Sequence, residues 1–230
     1  MRPFLYIGKK MNVLYEDKYL LVVNKEYGVT TQENKSNEKC LLDMIREERN
    51  SDNMYLALIN RLDKEVTGAV LIAKTKETAA KLNLMQQERA IKKEYIVVVS
   101  GIPEEKKGRF DDLLFKDSTK NKTFVVDRMR KGVKDASLEY ELIKTIEYDG
   151  ITCSVLKVNL LTGRTHQIRV QFSSRKMPVL GDFKYGSAIK SCKMALTCAK
   201  IEFVHPITKK LISVNGVPPS EAPWDVIHLY

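Results

Sequence analysis

The sequence has few features that would cross-link the chain, anchor it or load it with a ligand. It has no Cys-x-x-Cys pair: Cys40, Cys153, Cys192 and Cys198 lie far apart except for the last two, and His166, His205 and His228 complete no zinc spacing. A structural metal is therefore not expected, and the cysteines read as reduced thiols of a cytoplasmic protein. No apolar run approaches the ~18 residues that a membrane helix needs. Met1–Lys25 lacks the apolar stretch and small-residue cleavage site of a signal peptide. There is no glycine-rich phosphate-binding fingerprint, which argues against a bound dinucleotide or ATP, and no internal repeat or low-complexity tract.

Basic charge and apolar residues are both plentiful. The 230 residues hold 39 Lys plus Arg against 29 Asp plus Glu, a formal charge of +10, and 43% are hydrophobic. That apolar content is enough to bury a substantial core, and a single domain over 1–230 is expected. The positive surplus suits a polyanionic partner, because neutralising phosphates releases counterions. Residues 104–134 concentrate it, with Lys106, Lys107, Arg109, Lys120, Lys122 and Arg128 among others, and make a candidate surface for a nucleic-acid backbone; the bland alternative is a solvated charged loop.

Periodicity predicts more strands than helices. Val13–Tyr15 and Tyr19–Asn24 read as a short hairpin, "MYLALINRLD" as strand-like into Arg61, and "GAVLIAKT" as a continuous buried strand. "CLLDMIREERN" is a short amphipathic helix, and a second helix follows Thr75, a plausible N-cap. "KKEYIVVVSG" is a strand, 104–135 an exposed hairpin or loop, and Leu138–Leu161 a hairpin turning at Asp149–Gly150. A short helix with Ile168 and Phe172 follows Gly163, "ALTCAKIEFVHP" is a late strand, and the proline-bearing end from Pro218 wraps the surface. The fold class expected is α+β, with a mixed, mainly antiparallel sheet flanked by helices and loops.

Three stretches combine reactive side chains with strand ends or loops. In "NRLDKEVTGAVLIAK", Asp63 sits just before a buried strand; taken alone, it is more readily a turn residue than a catalytic one. In "KKEYIVVV", Tyr95 opens a strand, where a ring ordinarily packs but can also stack on an extruded base. In "LLTGRTHQIRVQF", Arg164 leaves a Thr-Gly turn where it could reach a cleft, while Arg169 reads as a phosphate anchor or a solvated group.

Together these stretches resemble the RluA-type pseudouridine synthases. "INRLDKEVTGAVLIAKT" is similar to the family's Arg-Leu-Asp motif, and "LLTGRTHQIRVQF" with the following "GDFKYG" to its second signature. "VLYEDKYLLVVNKEYG", "KKEYIVVVSG" and "IEFVHP" match further blocks in the same order, so the resemblance runs from about residue 12 to residue 207, with 208–230 left as a tail. It implies the pseudouridine synthase fold with an active-site cleft and an isomerase that needs no cofactor or metal. It further implies Asp63 as the catalytic carboxylate, Arg164 as the arginine paired with it, and Tyr95 beside the target base. Arg61 matches the arginine thought to assist base extrusion, Ile168 supplies apolar packing, and His166, Gln167 and Arg169 fall in the same segment as candidate substrate or RNA contacts. The RNA expected is rRNA or tRNA, met by a monomer. Only about a dozen residues precede the first matching block, so the small RNA-binding appendage that many members carry is not expected.

The sequence departs from the pattern at several positions. Asn60 stands where the family has His, Val66-Thr67 where it has Thr-Ser, and Lys25-Glu26 where it has Lys-Pro, while Gln171 and Thr197 replace frequent histidines. These departures bear on how RNA is held more than on the reaction class. They prompt a second reading, a catalytically weak relative acting as an RNA-binding or folding factor. A third reading, a carboxylate hydrolase, needs a second acid–base carboxylate, and Asp182 in "LGDFKYG" suits a turn better.

Overall fold

The computed structural model of the chain describes residues 11–33, 38–189 and 191–227. The chain opens with β1 (Val13–Glu16) and β2 (Leu20–Lys25), followed by α1 (Leu41–Glu48), β3 (Ala57–Leu58), β4 (Thr67–Ala73) and α2 (Lys76–Gln87). Next come β5 (Lys92–Ser100), β6 (Lys107–Asp117), β7 (Lys122–Val126), β8 (Val133–Tyr148) and β9 (Ile151–Leu160). Then α3 (Gln167–Ser173), a 3-10 turn at Phe183–Tyr185, β10 (Leu196–Val204) and β11 (Leu211–Asn215) complete the main elements. Thr75 caps α2 as expected, its hydroxyl accepting from the Thr78 N–H at 3.1 Å.

The strands form one mixed sheet in the order β1-β2-β4-β10-β5-β9-β8-β6-β7, with β3 joined to β4 and β11 to β10. Among the described residues only β4 and β10 pair in parallel, and the other ladders are antiparallel. β4 is buried along its whole length, which is why its residues read as an unbroken apolar run. The main core packs around it, with Leu20, Val22, Leu82, Val97 and Phe172.

The strand expected through 54–63 is reduced to β3 for a specific reason. One edge of β4 pairs with β3 at Ile72 and Ala73, and with β10 at Thr67 and Gly68. The gap between is filled by the buried Asn60 side chain: its Nδ2 donates to the Ala69 carbonyl at 3.2 Å, and its Oδ1 accepts from the Leu71 N–H at 2.7 Å. With a side-chain amide replacing the ladder bonds, the backbone leaves the sheet and turns toward Asp63. Asn60 therefore shapes the fold at this point.

The C-terminal segment also differs from expectation. β11 joins the sheet, the Asn24 amide is bonded both ways to the backbone of Val217, and Trp224 and Ile227 are buried on the other face with Ile96, Val98 and Val155. Apolar burial, not surface wrapping, holds this stretch; His228 lies outside the described residues.

Where β4 meets β10, Gly68 has a φ of +105°, and a Cβ there would collide with the Cys198 carbonyl oxygen. Gly68→Ala is expected to destabilise the protein by about 2–4 kcal/mol, through strain and overpacking together, read as a lowered urea midpoint. A midpoint equal to wild type would show that the two strands can separate freely at this point.

Candidate active site

Asp63 emerges on the loop between β3 and β4, and both readings of it hold in part. Its carbonyl accepts from the Val66 N–H at 3.0 Å, so the residue does begin a tight turn. Its carboxylate, 27% exposed, is turned the other way, onto the guanidinium of Arg169 at 2.8 Å.

The loop is clamped from beneath. Lys25 is fully buried, and its Nζ donates to the carbonyls of Glu26 (3.0 Å), Val29 (2.8 Å) and Lys64 (3.2 Å). The Gly28 N–H also donates to the Lys64 carbonyl, at 2.9 Å. All three ammonium protons are thus spent on main chain, one of them on the residue next to Asp63. Burial brings the Lys25 ammonium down to about 7, with the charges of Asp63 and Glu65 opposing the shift.

That shift has a thermodynamic consequence with a definite sign. Below about pH 7 Lys25 is charged in both the folded and the unfolded chain, so it contributes no pH dependence. Between about 7 and the free-lysine value of 10.5 the unfolded chain holds a proton that the folded chain has shed, so stability rises with pH across that window. Lys25→Met removes this rise and takes the lysine donor from three carbonyls, of which Lys64 keeps the Gly28 N–H. Urea unfolding at about pH 6.5 and about pH 9.5 is expected to show wild type gaining roughly 1–3 kcal/mol relative to the variant. Parallel pH dependences would contradict the assignment.

Arg169 comes from α3, and its surroundings fix it tightly. Phe172 of α3 packs edge-on against Phe110 and Tyr140, and Gln171 and Arg175 both bond Asp112 of β6, so the helix cannot rotate freely. Arg169 is 4% exposed. Its Nε and Nη2 donate to the two oxygens of Asp182, at 2.6 and 2.9 Å, and Nη1 donates to Asp63 at 2.8 Å. Burial works against the arginine's charge, but the hydrogen bonds and charges of Asp182 and Asp63 outweigh it and hold the guanidinium more firmly protonated than usual. Asp182, itself 2% exposed, thus orients a fork whose remaining arm is presented to Asp63. The turn role suggested by its loop missed this. The preceding Gly181, at φ +72°, allows the loop to press against the backbone at Cys192 and Lys193, which sets Asp182 under the arginine.

Two further groups face this centre. Tyr95, 6% exposed on β5, lies opposite Cys198 in the ladder. Burial, Cys198 and the Asp63 charge hold its phenol well above the ordinary range, so it stays a neutral ring with a proton to donate. His166 caps α3 in a left-handed conformation (φ +53°), and its Nε2 lies 3.8 Å from Asp63 Oδ2. Its Nδ1 is 2.9 Å from the Tyr185 hydroxyl.

Tyr95, also singled out in the sequence, lies close enough to Asp63 to feel its charge, and the arginine that pairs with Asp63 is Arg169, not Arg164. Arg164 is exposed and its Nε donates to the Asp135 carbonyl at 2.8 Å. The physical reason is helical phase: from the turn before α3, Arg164 points outward over β8, whereas Arg169, within α3, faces inward. Gln167, expected as an RNA contact, is buried and used up locally. Its Oε1 accepts from Thr162 Oγ1 (2.7 Å) and the Arg164 N–H (3.0 Å), and its Nε2 donates to the Ser137 carbonyl at 3.0 Å. Ile168 is buried in the core beneath the site. Arg61 stays exposed at the rim, with one arm on Gln32 Oε1 at 3.1 Å. Among the described residues no cluster of His, Cys, Asp or Glu is suited to a metal ion, and no helix is long and apolar enough to cross a membrane.

The arrangement is a partly exposed carboxylate held by a buried arginine, with an imidazole alongside and a neutral phenol within range of its charge. Comparisons with known proteins point the same way. The family model described as RNA pseudouridylate synthase matches residues 19–174. An uncharacterized RNA pseudouridine synthase of Bacillus subtilis (strain 168) is 28% identical over 92% of this chain and 70% of its own length. A ribosomal large subunit pseudouridine synthase C of Buchnera aphidicola subsp. Baizongia pistaciae is 30% identical over 89% of this chain and 66% of its own. The chain thus spans about two thirds of the length of these curated relatives. Among solved structures, human RNA pseudouridylate synthase domain containing 1 shares the fold with a TM-score of 0.76 and 23% identity, covering 97% of this chain and 89% of that one. Core blocks in order, the shared sheet and the family match together lead to one conclusion: the chain belongs to the RNA pseudouridylate synthase family, a family of isomerases.

Proposed function

We propose that this chain converts specific uridines of rRNA or tRNA to pseudouridine, with Asp63 as the catalytic carboxylate acting on a flipped-out nucleotide. The observation that carries the reading is the Asp63–Arg169–Asp182 chain: a carboxylate left accessible, but held in one orientation by an arginine whose other arm is locked on a buried acid. The reaction breaks the bond from ribose C1′ to ring N1, turns the base and joins C1′ to ring C5. The proton on C5 leaves and N1 ends protonated, so no atoms are gained or lost and no cofactor is required. Asp63 assists as nucleophile or by its charge as the glycosidic bond leaves. The target atoms are hidden in a stacked or paired RNA, so the nucleotide must swing into the pocket, with Arg61 at the rim and Tyr95 against the base.

RNA positioning falls to the basic hairpin β6–β7 and the loop after it. Lys120, Arg128 and Lys131 are exposed there, with Lys134 exposed at the start of β8, and Lys184 beside the site bonds the Asn121 carbonyl at 3.1 Å, linking this hairpin to the centre. The chain is expected to work as a cytoplasmic monomer. The test is incubation with unmodified rRNA and tRNA transcripts, followed by carbodiimide treatment and reverse transcription. Discrete stops at particular uridines support the proposal. Tight RNA binding with no stops on either transcript would favour the RNA-binding or folding factor.

A further inference from the structure

A hydrogen-bond chain leads from β7 to Asp63, and its polarity can be deduced from one fixed donor. The backbone N–H of Thr123, on β7, donates to the Tyr185 hydroxyl oxygen at 2.8 Å. A main-chain N–H can only donate, so the Tyr185 oxygen is an acceptor there and its own proton must go elsewhere. The residue is 5% exposed, and His166 Nδ1 lies 2.9 Å from the hydroxyl. A tyrosine donating to Nδ1 makes that nitrogen the acceptor, which leaves the ring proton on Nε2. Nε2 is the nitrogen that faces Asp63 Oδ2, at 3.8 Å. The opposite tautomer would leave the phenol proton only the buried Thr123 hydroxyl beside it, and would set a bare nitrogen lone pair against a carboxylate.

We propose that Tyr185 is a positioning residue that holds His166 as the neutral Nε2–H tautomer, so that an uncharged donor is presented to Asp63. This deepens the proposed function, on which its catalytic consequence rests. The groups facing the imidazole agree with a neutral ring. Burial lowers the His166 pKa, Asp63 and Asp182 oppose the shift, and Arg169 and Lys184 reinforce it. An uncharged donor fits this position because the carboxylate already has its full counter-charge in Arg169, and a second cation would tie it up. At 3.8 Å the contact is longer than a hydrogen bond, so the donor stands ready for a small rotation of the carboxylate or for a bridging group of the substrate. Because Thr123 belongs to the basic hairpin and Lys184 bonds the Asn121 carbonyl, the same chain ties the hairpin's seating to the orientation of the imidazole.

The test is nitrogen-15 NMR of the full chain labelled at histidine, which has three imidazoles to resolve. Long-range proton–nitrogen correlations are expected to show His166 protonated at Nε2 and bare at Nδ1 in wild type, and a mixture of tautomers in Tyr185→Phe. His205 is the internal control. Its Nδ1 accepts from the Ile207 and Thr208 N–H groups at 3.1 and 3.0 Å, so its signals are expected to stay unchanged if the variant is folded. With RNA turnover, Tyr185→Phe is expected to lose about tenfold in kcat, the rate equivalent of one hydrogen bond, with KM for RNA within about twofold. His166→Asn, chosen because Asn tolerates the left-handed backbone, is expected to lose a similar factor, and the double variant no more than either single. An Nδ1-protonated His166 in wild type, a tautomer untouched by Tyr185→Phe, or losses that multiply in the double variant would overturn the proposal. The NMR result stands whether or not the chain isomerises uridine, so failure of the relay and failure of the proposed function are told apart.

Discussion

Asp63→Asn is expected to lower kcat for uridine isomerisation by at least about a thousandfold while leaving the fold and RNA affinity almost unchanged. The loss follows from chemistry: an amide of the same shape is a far poorer nucleophile and carries no charge with which to assist departure of the base. The retained stability follows from the geometry around Arg169. Its Nε and Nη2 remain on Asp182 when the third partner becomes neutral, so no buried cation is left unpaired. The lost pair involves a carboxylate that is 27% exposed, and a change within about 1 kcal/mol is expected from urea unfolding. Gel-shift measurements with the same RNA check that binding survives. A variant that unfolds, or that binds RNA far more weakly, would mean that Asp63 is primarily a structural residue.

Arg169→Met is expected to have the largest effect on stability, a loss of about 3–5 kcal/mol, together with a fall in kcat of at least about a hundredfold. The cause is Asp182, whose side chain is 1% exposed and which would lose the partner of both its oxygens. Two variants separate the stabilising from the catalytic part. Adding Asp182→Asn to Arg169→Met removes the stranded charge, so most of the stability is expected to return while activity stays low. Arg164→Ala, which removes an exposed side chain bonded to one carbonyl, is expected to change stability by no more than about 0.5 kcal/mol and kcat by no more than about threefold. If Arg164→Ala proved as damaging as Arg169→Met, the pairing seen in the structure would not be the one used in catalysis.

Much of the fold was legible because apolar pattern and burial coincide. The unbroken run of β4 reads as a strand buried on both faces, and it is one. The Asp149–Gly150 turn between β8 and β9 and the Thr75 cap of α2 also appear as expected, since local backbone chemistry determines both. What escaped the sequence depended on contacts between distant segments. Asn60 ends a strand early by bonding a neighbouring strand with its side chain, and no local pattern marks that. β11 and Trp224 are held by sheet pairing and packing, and the prolines around them read as a loop.

At the site, Asp63 and Tyr95 could be singled out because each sits in a motif that resembles a family block. The choice between Arg164 and Arg169 turns on helical phase across the start of α3, which a left-handed His166 and a buried Gln167 displace from the regular spacing. One signal could have separated them. The Asp of the Gly-Asp step, 13 residues beyond Arg169, is a potential partner only for an inward-facing residue. Lys25 carried no signal of its role beyond matching the lysine of a family block, because a lysine at a strand end is ordinarily solvated, and only the three converging carbonyls reveal what it does.

The measurement that bears most directly on the central claim is release of tritium from ring carbon 5 of uridine-labelled RNA, since each isomerised uridine must lose that hydrogen. Wild type and Arg164→Ala are predicted to release it in proportion to enzyme and time, and Asp63→Asn to release none above background while still binding the RNA. Release by Asp63→Asn at the wild-type rate would contradict the account.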